Sequence, residues 1–280
     1  MISLDGFNFL GPSLVGLFEI KQFATDSLPV IIMKNSLILS ILLVNASFGG
    51  VINSITWQPS QSISGDSDVN TQGSLLYAYN VGASGVSDAT VNGVAFLAYA
   101  FPADYTTNTV TVGSVSMTES PGYLVSSNTL GGGSAPFTSL TSGYQALLGS
   151  GGLANLPTSI TVTFSGLTAS QQYLVQWWSN NSGNGKIDGY LGLNDTTATS
   201  GLTSATLDAN TTNTVGGLGQ YVTGTFTANS STYSMELAAT ALYSDAPLIN
   251  AFQVRAIPEP SSLALLAAGC GVVVLRRRRK

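Results

Sequence analysis

The stretch SITVTFSGLTASQQYLVQWW, residues 159–178, sets the fold class of the chain. In its first part Ile160, Val162 and Phe164 alternate with threonines. Successive side chains of a β-strand point to opposite faces, so this alternation predicts a strand with one buried and one polar face. A tight glycine-containing connection then leads into a second apolar segment that opens on Tyr173. β-Sandwich domains often bond a tyrosine hydroxyl at this place to the connecting backbone, and we predict that structural role for Tyr173.

The same period of two recurs along residues 47–256, between clusters of glycine, asparagine and serine. Short strands at such spacing are typical of antiparallel all-β folds, and we predict an antiparallel β-sandwich. The alternation of apolar and polar residues changes phase at Gly113 or Ser114, which predicts a β-bulge there. The helix signal is weak and covers 144–148. The other predicted strands are 75–81, 90–99, 173–178, 221–227, 233–238 and 249–255.

Residues 47–256 form the predicted domain, and their charge is unbalanced. They contain two basic residues, Lys186 and Arg255, against ten acidic ones, a formal charge of −8. Nucleic-acid binding depends on basic side chains that neutralise phosphates, so we expect no nucleic-acid partner. Anionic polymers are disfavoured as ligands unless a divalent cation bridges them. A segment of this length buries enough apolar surface for one core without a disulfide.

The sequence contains no histidine, and its single cysteine, Cys270, lies in the C-terminal apolar run. The usual hydrolase triads and the zinc sites built on these residues are therefore excluded. A glycosidase needs only two carboxylates, and Glu119 and Glu236 are the glutamates of the domain. Glu236 stands between Met235 and Leu237, which is typical of the solvated face of a strand. We predict a non-enzymatic protein without catalytic residues, and a carboxylate-dependent glycosidase is an alternative.

Oxygen ligands recur at alternate positions in Asp66, Asp68 and Asn70, as in a calcium-binding loop. The match ends there, because Thr71 stands where such a loop needs glycine and Tyr77 where it needs a bidentate glutamate. A polar turn is the competing interpretation.

A second oxygen-rich segment, residues 180–188, ends in Asp188 and offers side-chain and carbonyl oxygens to a hard cation. It is equally consistent with a flexible hairpin connection. Calcium, with Asp66, Asp68, Asn70 and Asp188 as candidate ligands, is the cofactor that the sequence suggests.

Trp177 and Trp178 are neighbours in a predicted strand and must point to opposite faces. Trp177 shares its face with Tyr173 and Val175, the predicted core side. An exposed Trp178 would stack on a sugar ring while neighbouring amides bond the sugar hydroxyls, although a large aromatic side chain often packs under loops instead. The predicted ligand-binding residues are Trp178, Gln176, Asn180 and Asn181.

Residues 257–280 have a composition of their own. The uncharged, mostly apolar residues 261–275 would span roughly 22 Å as a helix, against a hydrocarbon core of roughly 30 Å. Prolines before this short predicted transmembrane helix keep Pro258-Glu259-Pro260 extended and accessible. The cations after it should hold that end in the cytoplasm. They are Arg276, Arg277, Arg278, Arg279 and Lys280.

This arrangement of Pro258-Glu259-Pro260, apolar helix and arginine cluster resembles the PEP-CTERM sorting signal of Gram-negative bacteria. The resemblance implies that an exosortase-type membrane protease recognises and cuts the tail, in organisms that make extracellular polysaccharide. An ordinary tail anchor is the alternative.

Residues 1–46 form a predicted leader. Met33-Lys34-Asn35 supplies a basic start, residues 36–44 supply an apolar core, and Ala46 is a small residue at the cleavage point. The residues before Met33 fit no such pattern, so we expect translation to start there and signal peptidase to remove residues 33–46. An unusually long leader is the alternative.

Two short segments, VNGVAF at 91–96 and GQYVTGTF at 219–226, resemble stretches of secreted PEP-CTERM proteins with galactose-binding-like jelly-roll domains. The resemblance implies a jelly-roll form of the sandwich without identifying a ligand. The resulting hypothesis is a secreted envelope or matrix protein that associates with extracellular polysaccharide. We expect it at the outer cell surface or in the matrix after transient anchoring in the inner membrane. A structural or adhesive matrix protein without specific glycan binding is the alternative.

Overall fold

The computed structural model of the protein describes residues 55–119, 122–154, 159–184, 190–195, 204–239 and 247–258. Most of these residues are in β-strands, which confirms the all-β prediction. The predicted leader, Asp188, the predicted transmembrane helix 261–275 and the basic residues after it lie outside the described residues. Within the described ranges, no helix has the length and apolar character needed to cross a bilayer.

Sheet 1 consists of eight strands. They are β1 Thr56–Trp57, β2 Gln61–Ser62, β3 Ser74–Ala83, β4 Ala89–Val91, β5 Val94–Phe101, β11 Gln172–Ser179, β14 Gln220–Thr227 and β17 Ala251–Ile257. Their order is β1-β14-β11-β17-β3-β5-β4, and β2 also pairs with β14. Neighbouring strands are antiparallel except β3 and β5, which are parallel.

Sheet 2 consists of six antiparallel strands. They are β6 Thr109–Val112, β7 Val115–Glu119, β10 Ser159–Ser165, β12 Tyr190–Asp195, β13 Ser204–Asp208 and β15 Thr232–Ala239. Their order is β13-β12-β15-β10-β7-β6. A third, small sheet joins β8 Leu124–Ser127, β9 Gly151–Ala154 and β16 Leu248–Ile249 in the order β16-β9-β8.

Sheets 1 and 2 pack face to face over one cluster of buried side chains. The alternating apolar residues of β10 supply one side of this core, as the sequence predicts, and Phe164 lies at its centre. Its ring centroid is 5.9 Å from that of Tyr77 and 6.1 Å from those of Trp177 and Phe252. Burying each of these side chains stabilises the fold by about 1.5–3 kcal/mol. Period-two alternation therefore places the core correctly.

The structure has tight turns at two places where the sequence predicts continuous strands. The predicted strand 90–99 is two strands, because Asn92 and Gly93 have φ angles of 49° and 74° and form a hairpin turn between β4 and β5. The predicted β-bulge at Gly113 or Ser114 is wrong. These residues are the turn of the β6–β7 hairpin, in which Val112 pairs with Val115.

The structural role predicted for Tyr173 is confirmed. Its ring is buried in the core, and its hydroxyl accepts a hydrogen bond from the Thr168 backbone N–H at 2.8 Å. The bond ties the β10–β11 connection to the start of β11.

A short helix, α1 Ser142–Gly149, extends the predicted helical turn 144–148 by a few residues. It begins after Thr141, whose side-chain oxygen accepts a hydrogen bond from the Tyr144 N–H. Its buried residues Tyr144, Leu147 and Leu148 join Trp178 in a second apolar cluster. This cluster covers the face of sheet 1 that points away from the main core.

Candidate functional site

The residues predicted to form an exposed sugar-binding surface are buried. The exposed fraction is 0% for Trp178 and Asn180, 1% for Gln176 and 2% for Asn181. The prediction of an exposed indole is wrong, because α1 and the residues preceding β3 cover the outer face of sheet 1. Strand β11 is therefore buried on both faces, and alternation along it does not distinguish core from solvent.

Trp178 is held by a short chain of hydrogen bonds. Its indole Nε1 donates to the Tyr144 hydroxyl at 3.0 Å, and that hydroxyl donates to Asp68 Oδ2 at 3.0 Å. The Phe96 ring packs edge-on against the indole with centroids 5.7 Å apart. Burial and the neighbouring Asp68 carboxylate raise the pKa of Tyr144, so its hydroxyl remains a donor.

Two of the predicted calcium ligands, Asp68 and Asn70, have hydrogen-bond partners within the protein. Both Asp68 carboxylate oxygens accept hydrogen bonds from Ser64, and Oδ2 also accepts one from Gly65 N–H. Asn70 Oδ1 accepts from Gln72 N–H at 2.7 Å. Asp66 starts a single 3-10 turn with Asp68, the polar turn that was the competing interpretation. In the described part of the chain, no group of three acidic, histidine or cysteine side chains is arranged to hold a metal ion.

Residues 64–73, which we call the strap, cross the outer face of sheet 1 without strand partners there. Gln176 Nε2 donates to Asp68 O at 2.7 Å, and its Oε1 accepts from Asn70 N–H at 3.0 Å. Gln253 Nε2 donates both to Asn70 O and to Gln176 Oε1. The two glutamines thus supply bonds that a neighbouring strand would otherwise supply.

Arg255 completes this attachment from the next outward position of β17. Its guanidinium donates to the carbonyls of Thr71, Gln72 and Gly73 at 2.8–3.0 Å and to Gln253 Oε1 at 3.2 Å. Burial lowers the pKa of Arg255. A planar guanidinium with five donors suits such a set of carbonyls. These carbonyls therefore explain why a buried arginine occupies this position.

The asparagines after β11 brace loops. Asn180 Nδ2 donates to the carbonyls of Leu130 and Leu148, both at 3.0 Å. Asn210 Nδ2 donates to Asn181 O at 3.1 Å. These bonds account for the burial of Asn180 and Asn181 in a segment predicted to be either a cation-binding loop or a flexible hairpin connection.

An open cleft lies beside these buried groups, at the sheet 1 edge where β1 and β2 both pair with β14. Its volume is about 360 Å³, within the range of small-molecule sites. It is lined by neutral side chains, and no charged side chain lines it. The lining residues are Gln58, Pro59, Gln61, Asn70, Tyr221 and Thr223.

Tyr221 supplies the aromatic surface of the cleft. Its ring stacks on the buried Trp178 ring, with centroids 6.3 Å apart and planes inclined by 27°. Burial, and to a smaller extent Asp68, raise the pKa of Tyr221, which keeps its hydroxyl protonated. A half-buried tyrosine fixed from behind by a tryptophan offers a pre-oriented apolar face to a ligand.

Amide side chains surround this ring. Gln58 and Gln61 are exposed at the rim, and Gln61 Nε2 donates to Pro59 O at 3.2 Å. Asn70 is fixed by the backbone bonds of the strap, and Thr223 lies on the same face of β14 as Tyr221. Donors and acceptors without net charge suit a hydroxyl-rich neutral ligand.

Sequence reasoning does not identify these lining residues as a site. The segment 57–62 is too short and polar to predict a strand, and nothing in it indicates pairing with a strand more than 150 positions later. One pattern in the sequence points towards the cleft: Tyr221 and Thr223 alternate with the core-facing residues of the predicted strand 221–227, so their side chains point outward.

The two glutamates of the domain lie on opposite faces of sheet 2. Glu119 pairs with Ile160 and is buried on the core side, whereas Glu236 pairs with Thr161 on the outer side. Their carboxylates do not face each other across a cleft, as a two-carboxylate glycosidase would require.

The tail begins directly after the last strand. β17 ends at Ile257, and Pro258 is exposed, while Glu259 and Pro260 lie outside the described residues. Residues 256–280 match the family model of the PEP-CTERM protein-sorting motif. This motif implies processing by an exosortase, export, and a cell-surface or extracellular destination. No curated protein matches the chain.

Proposed function

We propose that the protein is a non-enzymatic component of the cell envelope or extracellular matrix that binds neutral extracellular polysaccharide through the Tyr221 cleft. The observation that carries this proposal is the cleft itself, in which an aromatic face fixed by Trp178 is surrounded by uncharged amide and hydroxyl groups. A sugar ring stacks on such a face while its hydroxyls bond the amides. The acidic surface of the domain favours neutral over anionic glycans.

The proposed fold of the exported domain is a jelly roll. Support comes from the strand order, in which β3-β17-β11-β14 of sheet 1 opposes β10-β15-β12-β13 of sheet 2. From β10 onwards the chain crosses between sheets 1 and 2 after each strand, except at β12 and β13, which are neighbours in sheet 2, and at β16, which belongs to the small sheet. Such an order is typical of two nested Greek keys. The segments that precede β10 after β3 are then insertions, and one of the outer strands they add is the parallel β5.

Export in this proposal involves a signal peptide at residues 33–46, a transient membrane anchor at 261–275 and cleavage of the tail by an exosortase. The sorting-motif match supports the last step. The cleft contains no carboxylate side chain, so calcium is not part of the proposed binding mechanism.

The test is binding of the full chain, in mild detergent, to an array of neutral and anionic glycans, with calcium and with a chelator. We expect a neutral glycan to bind equally in both conditions. Gln58→Ala and Gln61→Ala change exposed rim residues, and Tyr221→Ala removes the ring. Loss of stacking worth about 1.4 kcal/mol lowers affinity about tenfold.

Thr161→Ala is the matched control, because it removes an exposed hydroxyl from the outer face of sheet 2. It should bind like the unmodified protein. Unchanged binding by all three cleft variants would overturn the cleft assignment. Absence of binding to any neutral glycan would overturn polysaccharide recognition and favour a structural matrix protein.

A further inference from the structure

The tail leaves the domain from the middle of sheet 1, at one defined end. β17 lies between β11 and β3, and its last residue, Ile257, pairs with Gln172. Gln171 Nε2 donates to Ile257 O at 2.5 Å, which fixes the point of departure. We call this end of the domain, where residues 72–76, 113–114, 166–171 and 228–231 surround the tail, the exit end.

Strand register places these segments together. Gln172 pairs with Thr227, so the turn 228–231 lies beside Ile257. Ser74 pairs with Ala256 at the start of β3. Ser165 N–H donates to Ser114 O at 2.8 Å, which brings the β6–β7 turn to the same end.

The exit end carries no charge. Its segments 72–76, 113–114, 166–171 and 228–231 contain no acidic or basic residue, and the nearby Arg255 is buried. Instead, Leu75 and Leu76 are 40% and 39% exposed. Hydroxyl, amide and leucine side chains make up this surface.

Three acidic residues of the described part of the chain lie away from this end. Glu119 pairs with Ile160 at the other end of β10, and Asp208 pairs with the first residue of β12. Asp104 follows Phe101, which pairs with Ala83 at the far end of β3. In a domain with a formal charge of −8, the four described segments around the departing tail are therefore uncharged.

The length of chain after the sheet limits where this end can lie. Three residues separate Ile257 from Ser261, the first residue of the predicted membrane segment, and the four steps between these two residues span at most roughly 14 Å when extended. The headgroup layer of one leaflet is itself about 5–8 Å thick. An embedded tail thus brings the exit end against the headgroups.

We infer that the exit end is a membrane-contact surface that lies on the bilayer until the tail is cut. The inference rests on the proposed function, because it requires the tail to be embedded before processing. The four segments of the exit end contain no acidic side chain that would be repelled by anionic lipids, and the exposed leucines contact the interface. Tyr221 is level with Ala251 at the opposite end of β17, about 20 Å away along the strand, so the cleft faces away from the membrane.

The test uses the full chain with Cys270→Ser and one new cysteine, Asn229→Cys at the exit end or Thr211→Cys at the opposite end. Both positions are exposed. The chain is reconstituted in vesicles of phosphatidylcholine and phosphatidylglycerol, and the reaction rate with a polyethylene glycol maleimide is measured. Flotation of the vesicles reports separately whether the tail is embedded.

We expect the Asn229→Cys chain to react several-fold more slowly than the Thr211→Cys chain in vesicles, and at the same rate in detergent. Inserting about ten glycine and serine residues after Ile257 adds up to roughly 35 Å of reach and should abolish the difference. Equal rates in chains that float with the vesicles would overturn the inference while leaving the anchor intact. Chains that do not float would overturn both. Protection seen only in membranes that contain an exosortase would assign the exit end to the protease instead.

Discussion

The outer face of β11 and β17 in sheet 1 is covered, whereas the outer face of β6, β7 and β10 in sheet 2 is open to solvent. On β10 burial alternates, and outward threonines such as Thr161 are exposed. On β11 nearly every residue is buried, including the outward Gln176 and Trp178. Both strands contribute to the same core, so the difference arises from what covers the second face.

The polar side chains on the two outer faces have different hydrogen-bond partners. In sheet 2 hydroxyls on neighbouring strands pair with each other, as Thr111 does with Ser116 at 2.8 Å and Thr163 with Ser234 at 2.9 Å. In sheet 1 the outward amides bond the backbone of the strap. A polar residue in a strand therefore indicates solvent only where no other segment crosses that strand.

The largest expected effect tests the covered face. Trp178→Ala should lower the free energy of unfolding by about 3–5 kcal/mol, because it leaves a cavity beneath α1 and the Tyr144 hydroxyl without its donor. Thr161→Ala should change it by less than about 0.5 kcal/mol. Urea unfolding followed by far-UV circular dichroism measures both, and similar losses would contradict the contrast between the two faces.

A smaller effect is expected where the strap meets β17. Arg255→Met should cost about 1–3 kcal/mol, since the carbonyls of Thr71, Gln72 and Gly73 lose their donors. Arg255→Lys, which keeps the charge but not the planar set of donors, should recover only part of the loss. Amide hydrogen exchange of residues 64–73 should accelerate in both variants. A lysine variant as stable as the arginine protein would show that charge alone holds the strap.

The smallest effect concerns the loop that leads from β5 of sheet 1 to β6 of sheet 2. The Thr107 hydroxyl and the backbone N–H groups of Thr106 and Thr107 lower the pKa of Asp104 to about 2. A carboxyl with a lowered pKa stabilises the folded state above its ordinary value near 3.8, and this contribution is lost as the pH falls towards 2. An NMR titration of the Asp104 carboxyl carbon should have its midpoint near pH 2.

Asp104→Asn should remove this part of the acid sensitivity between about pH 4 and pH 2. A midpoint for Asp104 near 3.8 would show that the loop does not hold the carboxylate.

Prediction from sequence succeeds where one face of a strand meets the core and the other meets water. The strand at 159–165, the inward side of Trp177 and the bond of Tyr173 to the preceding turn all follow from local patterns. It fails for Trp178, because burial of the second face depends on residues more than 30 positions away in the chain. It also misses the cleft, whose sides come from 58–70 and from β14.

The all-β class and the sorting motif at 256–280 can be predicted without a structure, because strand alternation and the composition of a tail are local properties. Three other features become visible only in the folded chain: Trp178 supports Tyr221 from behind, Asp68 holds a turn, and uncharged segments surround the departing tail. They depend on strand pairing, which joins segments far apart in the chain and places the backbone that each of these side chains contacts.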